Sequence, residues 1–139
     1  MSRCFAELAP DAPRRGVDVE VLGRIIPARA MAHGAVWFEF EALCESARST
    51  ADYLELSRRF NTILLSSVPV LDEEHSDAAL RFMHLVDTLY DRNVNLIASA
   101  EAAPDELYQG HRLAARFART RSRLEEMQSR EYLARPHLP

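Results

Sequence analysis

The chain has 139 residues, of which 47% are hydrophobic and 27% are charged, and its formal net charge is −4. Such a composition is typical of one soluble globular domain that buries its own core. The acidic balance argues against a dedicated nucleic-acid-binding protein. No apolar run approaches the roughly 20 residues that a membrane-spanning helix requires.

The basic residues exclude several classes of enzyme. All 17 of them are arginines, so the chain contains no lysine. A phosphate-binding loop of the GxxxxGK[ST] type needs a lysine and a glycine-rich turn, and the four glycines of this chain are scattered. Schiff-base and lysine-base chemistries are excluded for the same reason. The two cysteines, Cys4 and Cys44, match no metal or redox spacing and predict free thiols in a reducing cytoplasm.

The first part of the chain predicts a tail followed by strands. Residues 1–16 mix proline, arginine and alanine, which indicates a linker. Residues 17–133 are predicted to form a single α/β domain, and residues 134–139 a second tail. Within residues 17–30, Gly23 separates two extended stretches, and Pro27 predicts that the second stretch lies at a sheet edge. Residues 35–40 alternate in polarity, so residues 24–40 predict an N-terminal β-hairpin.

The centre of the chain predicts a strand, a helix and a second strand. A helix at residues 51–60, capped by Ser49 and Asp52, precedes them. Two short, mainly apolar runs without clean alternation, residues 62–65 and 94–98, flank an amphipathic segment at residues 77–91. Such runs are typical of strands buried on both faces of a parallel sheet, and the segment between them has the period of a helix. The predicted fold is therefore α/β, with a parallel strand–helix–strand core at about residues 62–98.

Two more helices are predicted in the last third, a short one at residues 104–110 and a long C-terminal one at residues 111–132. Five arginines follow one flank of the long helix: Arg112, Arg116, Arg119, Arg123 and Arg130. This flank has three open interpretations: a solvated face paired with Glu126, a protein-binding surface, or a source of arginines for phosphates. Arg119 and Arg123 are the strongest candidates for the last role.

The strand ends supply the remaining candidate residues. Ligands of open α/β sheets bind outside the carboxyl ends of the strands, which here carry Ser66, Ser67 and Ser99. The simpler alternative is that these serines only cap and turn the chain. The strand that ends at Ser66 lacks the terminal carboxylates that organise Mg²⁺ in ATPases. The acidic run at residues 72–74 predicts a solvated loop, and the five histidines form no pattern of metal ligands.

Many short strings agree at once with one family pattern. The order and spacing resemble the C-terminal third of the ZapE-type cell-division ATPases, bacterial relatives of the mitochondrial AFG-type ATPases. The resemblance covers about residues 20–135. The strings are WFEF at 37–40, LC at 43–44, ADYL at 51–54, FNTILL at 60–65, VP at 68–69, RF at 81–82, LVD at 85–87, LYDR at 89–92, SA at 99–100, LY at 107–108, RT at 119–120, SRL at 122–124, EMQS at 126–129 and YL at 132–133.

The resemblance implies an AAA-related P-loop ATPase that uses ATP and Mg²⁺ and acts in cell division or protein quality control. The nucleotide-binding motifs of that family lie upstream of the matched region, so this chain alone is expected to bind neither ATP nor metal and not to hydrolyse ATP. The implied partners are the missing P-loop half, another protein subunit or a division-ring protein, in the cytoplasm. Residues Arg119, Arg123 and Ser99 are the candidates for nucleotide or partner contact. The alternative is a stand-alone, non-catalytic interaction module.

Overall fold

The computed structural model describes residues 14–32, 34–46 and 48–128. Five strands and four helices follow one another in these residues, and a short 3₁₀ turn, Glu73–His75, precedes the third helix. The strands are β1 (Arg14–Val21), β2 (Arg24–Ala32), β3 (Ala35–Glu39), β4 (Thr62–Val68) and β5 (Asn95–Ala100), and the helices are α1 (Phe40–Leu43), α2 (Thr50–Arg59), α3 (Ser76–Asp91) and α4 (Ala114–Glu126).

The strands form one sheet in the order β1-β2-β3-β4-β5. Strands β1, β2 and β3 are antiparallel neighbours, whereas β3, β4 and β5 run parallel. The β1–β2 turn uses Leu22 and Gly23, both with positive φ, as tight hairpins require. Helix α3 connects the parallel pair β4 and β5. The predicted α/β fold, with its parallel strand–helix–strand core and its N-terminal hairpin, is therefore confirmed.

Pro27 was expected to lie in a strand at the edge of the sheet, and this expectation was wrong. Strand β2 lies between β1 and β3, and it pairs with β1 from Arg24 to Met31. Its pairing with β3 is confined to residues 30–32. Pro27 therefore lies where β2 has no partner on the β3 side, and its missing N–H removes no hydrogen bond from that ladder.

The helices pack on one face of the sheet and enclose the main core. Side chains alternate along β3, so Val36 and Phe38 face this core while Trp37 faces the other side. The rings of Phe40, Phe82 and Phe117 form a continuous row through the core, with centroids 6.0 and 6.4 Å apart. A smaller cluster on the opposite face contains Ala30, Ala35, Trp37 and Leu64.

The helix boundaries depart from the predictions toward the C-terminus. Helix α4 begins at Ala114, and residues 111–113 form the turn before it instead of its first turn. Residues 104–110 form turns, not the short helix predicted there, and Tyr108 bridges to Leu71. Residues 1–13 and 129–139, which include the predicted helix end and the second tail, lie outside the described residues. No helix of the described residues is long and apolar enough to cross a bilayer.

Candidate functional site: the strand ends and the arginine helix

The carboxyl ends of the three parallel strands meet at one edge of the sheet. Glu39 ends β3 and pairs in register with Ser66 of β4. Beyond Ser66 the β4–β5 register is irregular between Leu65 and Val68, which places Ser67 at positive φ. The sequence-predicted serines therefore do share this edge, where open α/β sheets bind their ligands.

Each of these serines has a definite hydrogen-bonding role. The Trp37 indole N–H donates to the Ser66 hydroxyl at 3.0 Å, and Ser66 is only 4% exposed. The backbone N–H of Ser67 donates to Oγ of Ser99 at 3.0 Å. The irregular register at the end of β4 takes the Ser67 N–H out of the regular strand pairing, and the Ser99 hydroxyl accepts its hydrogen bond. These contacts support the simpler interpretation, in which the serines shape the strand ends.

A depression of about 300 Å³ adjoins Ser67 at this edge. Three of its lining side chains are carboxylates, Glu39, Glu41 and Glu45. Glu39 is paired with Arg29 at 2.7 Å, and the Arg29 guanidinium lies over the Trp37 ring at 4.4 Å. Glu41 and Glu45 would repel the phosphates of a nucleotide, so the residues at this edge do not fit such a ligand.

The described residues also give a clear answer about metal ligands. Within residues 14–32, 34–46 and 48–128, no group of three or more His, Cys, Asp or Glu side chains is arranged to hold a metal ion. At the end of β4, the buried serine hydroxyl stands where an ATPase strand would carry its metal-binding carboxylates. The strand end therefore does not fit the Mg²⁺ that the family resemblance implies for the whole protein.

Arg123 is fixed between α4 and α3. Its guanidinium lies 2.5 Å from the carboxylate of Asp87 and 4.8 Å above the Tyr90 ring. The Tyr90 hydroxyl in turn donates to Glu126 at 2.5 Å, one helical turn further along α4. Only 16% of the Arg123 side chain is exposed. Arg123 therefore joins α3 and α4. Its position on the predicted flank did not show which residues it contacts.

Arg119 differs from Arg123 although both belong to one predicted stripe. Arg112, Arg116 and Arg119 are exposed, and we call these three residues the arginine surface. The neighbouring side chains Phe117 and Thr120 are buried and hold α4 against the domain. The arginine surface faces solvent beside a buried flank, which makes it accessible to an acidic partner.

Glu73 performs a role that the sequence did not indicate. Its carboxylate accepts hydrogen bonds from the backbone N–H groups of His111 and Arg112, at the turn before α4. These two donors lower the pKa of Glu73. The acidic run was interpreted as a solvated loop, and no local pattern could have shown a contact across 38 residues. Nearby, Asp72 and His75 lie 2.7 Å apart, which raises the pKa of His75 and lowers that of Asp72.

An apolar cavity of about 210 Å³ lies between the outer part of β5 and the C-terminal half of α4. Leu96, Ala98 and Ala100 line it from β5, and Leu124 of α4 and Met127 just after that helix line it from the other side. Ser99, Arg119 and Arg123 are not among its lining residues. The sequence-predicted candidates and this cavity are therefore separate features of the same end of the domain.

Comparison with known proteins identifies similar chains. The model of the AFG1-like ATPase family matches residues 1–136. Cell division protein ZapE of Escherichia coli K12 is 41% identical over 138 residues, which are 99% of this chain and 37% of that protein. An uncharacterized protein of Schizosaccharomyces pombe is 37% identical over 105 residues, covering 76% of this chain and 23% of that protein. Lactation elevated protein 1 homolog B of Danio rerio is 36% identical over 88 residues, covering 63% and 18% respectively.

These relatives are much longer than the present chain, which spans little more than a third of the E. coli protein and less of the eukaryotic ones. No solved structure is detectably similar. More than half of each of these relatives therefore lies outside the region that aligns with this chain.

Proposed function

The chain belongs to the AFG1-like ATPase family, and we propose that it forms the C-terminal part of a cytoplasmic ZapE-type ATPase that acts in cell division. In this proposal the chain contributes packing and partner contacts, while ATP and Mg²⁺ bind to the P-loop portion of the family protein. The observation that carries the proposal is the 41% identity along 99% of a chain that contains no lysine. A P-loop lysine must therefore come from elsewhere.

The structure of the strand ends supports this division of labour. A nucleotide at the carboxyl edge of the sheet would meet Glu41 and Glu45. The hydroxyl of Ser66 is buried against Trp37, where an ATPase strand would present acidic residues. Hydrolysis by this chain alone would therefore lack both the lysine and the metal-binding carboxylates.

A chimeric protein tests the proposal. The segment of E. coli ZapE that aligns with this chain is replaced by residues 1–136, and ATP turnover is compared with that of wild-type ZapE and of the isolated chain. We expect the chimera to hydrolyse ATP and the isolated chain to show no turnover above background. Turnover by the isolated chain, or a folded chimera that neither binds nor hydrolyses ATP, would contradict the proposal.

A second candidate function is a stand-alone protein-interaction module, which the exposed arginine surface favours. Guanidinium groups present planar donors to carboxylates, and they occur often at interfaces. Arg119→Glu separates the two functions, with Arg121→Glu as the control because Arg121 is also exposed on α4 but lies on its opposite flank. Reduced ATP turnover of the chimera with Arg119→Glu alone would support the ATPase role. Unchanged turnover, together with loss of a bound protein, would support the module.

A further inference from the structure

Strand β5 leaves one side of the parallel sheet open. It is the last strand of the sheet among the described residues, and its C-terminal half, Ala98, Ser99 and Ala100, is exposed. Parallel sheets are usually covered on both faces and continued or protected at their edges. An exposed edge next to the central β4 is therefore a surface that a partner could complete.

The backbone groups that point outward from β5 can be assigned. The N–H of Asn95 donates to Asn61 on the β4 side, and the N–H of Glu101 donates to Val68 on the same side. Successive peptide groups along a strand point to opposite sides, so the odd-numbered residues bond to β4. The N–H and C=O groups of Leu96, Ala98 and Ala100 therefore point away from the sheet.

Strand β5 carries none of the features that protect a natural edge. Its sequence, NLIASA, contains no charged residue and no proline. Edge strands that must stay unpaired usually contain lysine, proline or a bulge. The outer edge of β5 is thus suited to accept another strand.

The outward residues also open onto the apolar cavity. The side chains of Leu96, Ala98 and Ala100 line it together with Leu124 and Met127. Its volume of about 210 Å³ exceeds the roughly 150 Å³ of an apolar protein cavity known to hold benzene. One leucine, isoleucine or phenylalanine side chain of an added strand would fit, and the small alanines leave the space for it.

We propose that an extended segment, from the part of the family protein outside this chain, adds to the outer edge of β5 and inserts one large apolar side chain into this cavity. The inference rests on the proposed function. It is a case of β-augmentation, in which main-chain hydrogen bonds provide affinity and a pocket for alternate side chains provides specificity.

The choice of occupant follows from the course of the chain. After Ala100 the described residues return toward β4 and the Leu71–Tyr108 bridge, so they do not fold back along the outer edge. A second copy of β5 would offer only Leu96 as a large side chain on the cavity side and would leave the cavities largely empty. The relatives, by contrast, contain more than half of their length outside the aligned region.

Residue-resolved hydrogen exchange tests the inference. The full chain is measured alone, and then with the portion of E. coli ZapE outside the aligned segment. Alone, the amides of Asn95, Ile97 and Ser99 should exchange slowly and those of Leu96, Ala98 and Ala100 fast. In the complex, the three outward amides should slow by roughly tenfold or more, because they gain hydrogen bonds.

Three other results would overturn the inference. If the portion binds but the outward amides stay fast, the proposed function survives and the edge pairing is wrong. If the outward amides are already protected in the isolated chain, and this protection increases with protein concentration, the strand that pairs with β5 comes from a second copy of this chain. Absence of any binding would reject the proposed function together with this inference.

A pair of matched variants gives an independent measurement. Ala98→Lys places a charge at the mouth of the cavity beside the open edge, and Ala115→Lys makes the same exchange at an exposed site on α4. Ala98→Lys should weaken association roughly tenfold or more, and Ala115→Lys should leave it unchanged. Both variants should retain the thermal midpoint of the isolated chain, because both sites are exposed. Equal affinity of the two variants would also contradict the edge pairing.

Discussion

The guanidinium of Arg123 in α4 lies 2.5 Å from the carboxylate of Asp87 in α3. The two residues are 36 positions apart, and the same guanidinium covers the ring of Tyr90. Together with the hydrogen bond from Tyr90 to Glu126, this contact links α4 to α3 of the strand–helix–strand core. It makes Arg123 a residue that positions α4 and leaves Arg119 as the accessible member of the predicted pair.

Arg123→Ala should lower the free energy of unfolding by about 1–3 kcal/mol, because it leaves Asp87 without this partner in a partly buried site. Arg119→Ala should change it by less than about 0.5 kcal/mol, since that side chain is exposed. Urea unfolding followed by circular dichroism measures both. The double exchange Arg123→Asp with Asp87→Arg should recover part of the loss, and no recovery would indicate that packing on Tyr90 matters more than charge.

The arginine stripe shows what a single sequence can establish about this site. Helical periodicity placed Arg119 and Arg123 on one flank, and that placement is consistent with the structure. Periodicity cannot show which arginine meets a carboxylate, because Asp87 comes from another helix and its distance depends on how the helices pack. The outward edge of β5 was missed for a similar reason, since edge position is a property of the sheet order.

The N-terminus of α2 depends on Asp52. Its carboxylate accepts the backbone N–H of Ser49 at 2.9 Å and lies 2.5 Å from Arg24, and it is completely buried. Asp52→Ala should reduce stability by about 1–2 kcal/mol, because the helix loses its capping carboxylate. Arg24→Ala should cost about 1–3 kcal/mol, because it leaves the fully buried Asp52 carboxylate without its charged partner, although half of the Arg24 side chain is in solvent. Chemical denaturation measures the free energy of unfolding of both variants. A larger decrease for Arg24→Ala than for Asp52→Ala would mean that the ion pair contributes more than the helix cap.

The contact of Glu73 with the turn before α4 predicts a pH dependence. The amide donors of His111 and Arg112 lower the pKa of Glu73 in the folded chain. A carboxyl group with a depressed folded pKa contributes stability above its unfolded pKa and loses it as pH falls through the folded pKa. Glu73→Gln should therefore lower the urea midpoint near neutral pH, and the difference from wild type should shrink at acid pH.

Glu74→Gln is the matched control for this measurement. Glu74 is its exposed neighbour in the same short turn, so its removal should leave the pH dependence of the urea midpoint unchanged. A difference between wild type and Glu73→Gln that stays constant from neutral to acid pH would contradict the assigned role. Nuclear magnetic resonance titration of the Glu73 side chain would then show whether its pKa is depressed.

The central strands and helices were predicted with more success than the segments that join them. Residues 62–65 form a short apolar run because β4 is buried on both faces, and residues 77–91 have the apolar period of a helix that packs on the core. The turn at residues 111–113 was assigned to a helix, since its composition is helical and only the distant Glu73 fixes its amides. Pro27 is tolerated in an inner strand because β2 pairs with β3 only at residues 30–32. The sequence around Pro27 does not show where that pairing ends.

The buried end of β4 predicts that a single added carboxylate destabilises the domain instead of creating a metal site. Ser66→Asp would introduce the missing carboxylate, but the site is 4% exposed and filled by the Trp37 contact. Burying that charge should lower the free energy of unfolding by about 2–4 kcal/mol. Ser67→Asp is the exposed comparison, because aspartate tolerates the positive φ of Ser67. Its charge adds to those of Glu41 and Glu45 in a solvated depression, so its cost should stay below about 1 kcal/mol. Calorimetric unfolding with and without Mg²⁺ measures both, and a stable Ser66→Asp protein whose midpoint rises with Mg²⁺ would refute the assignment of this strand end to a structural role.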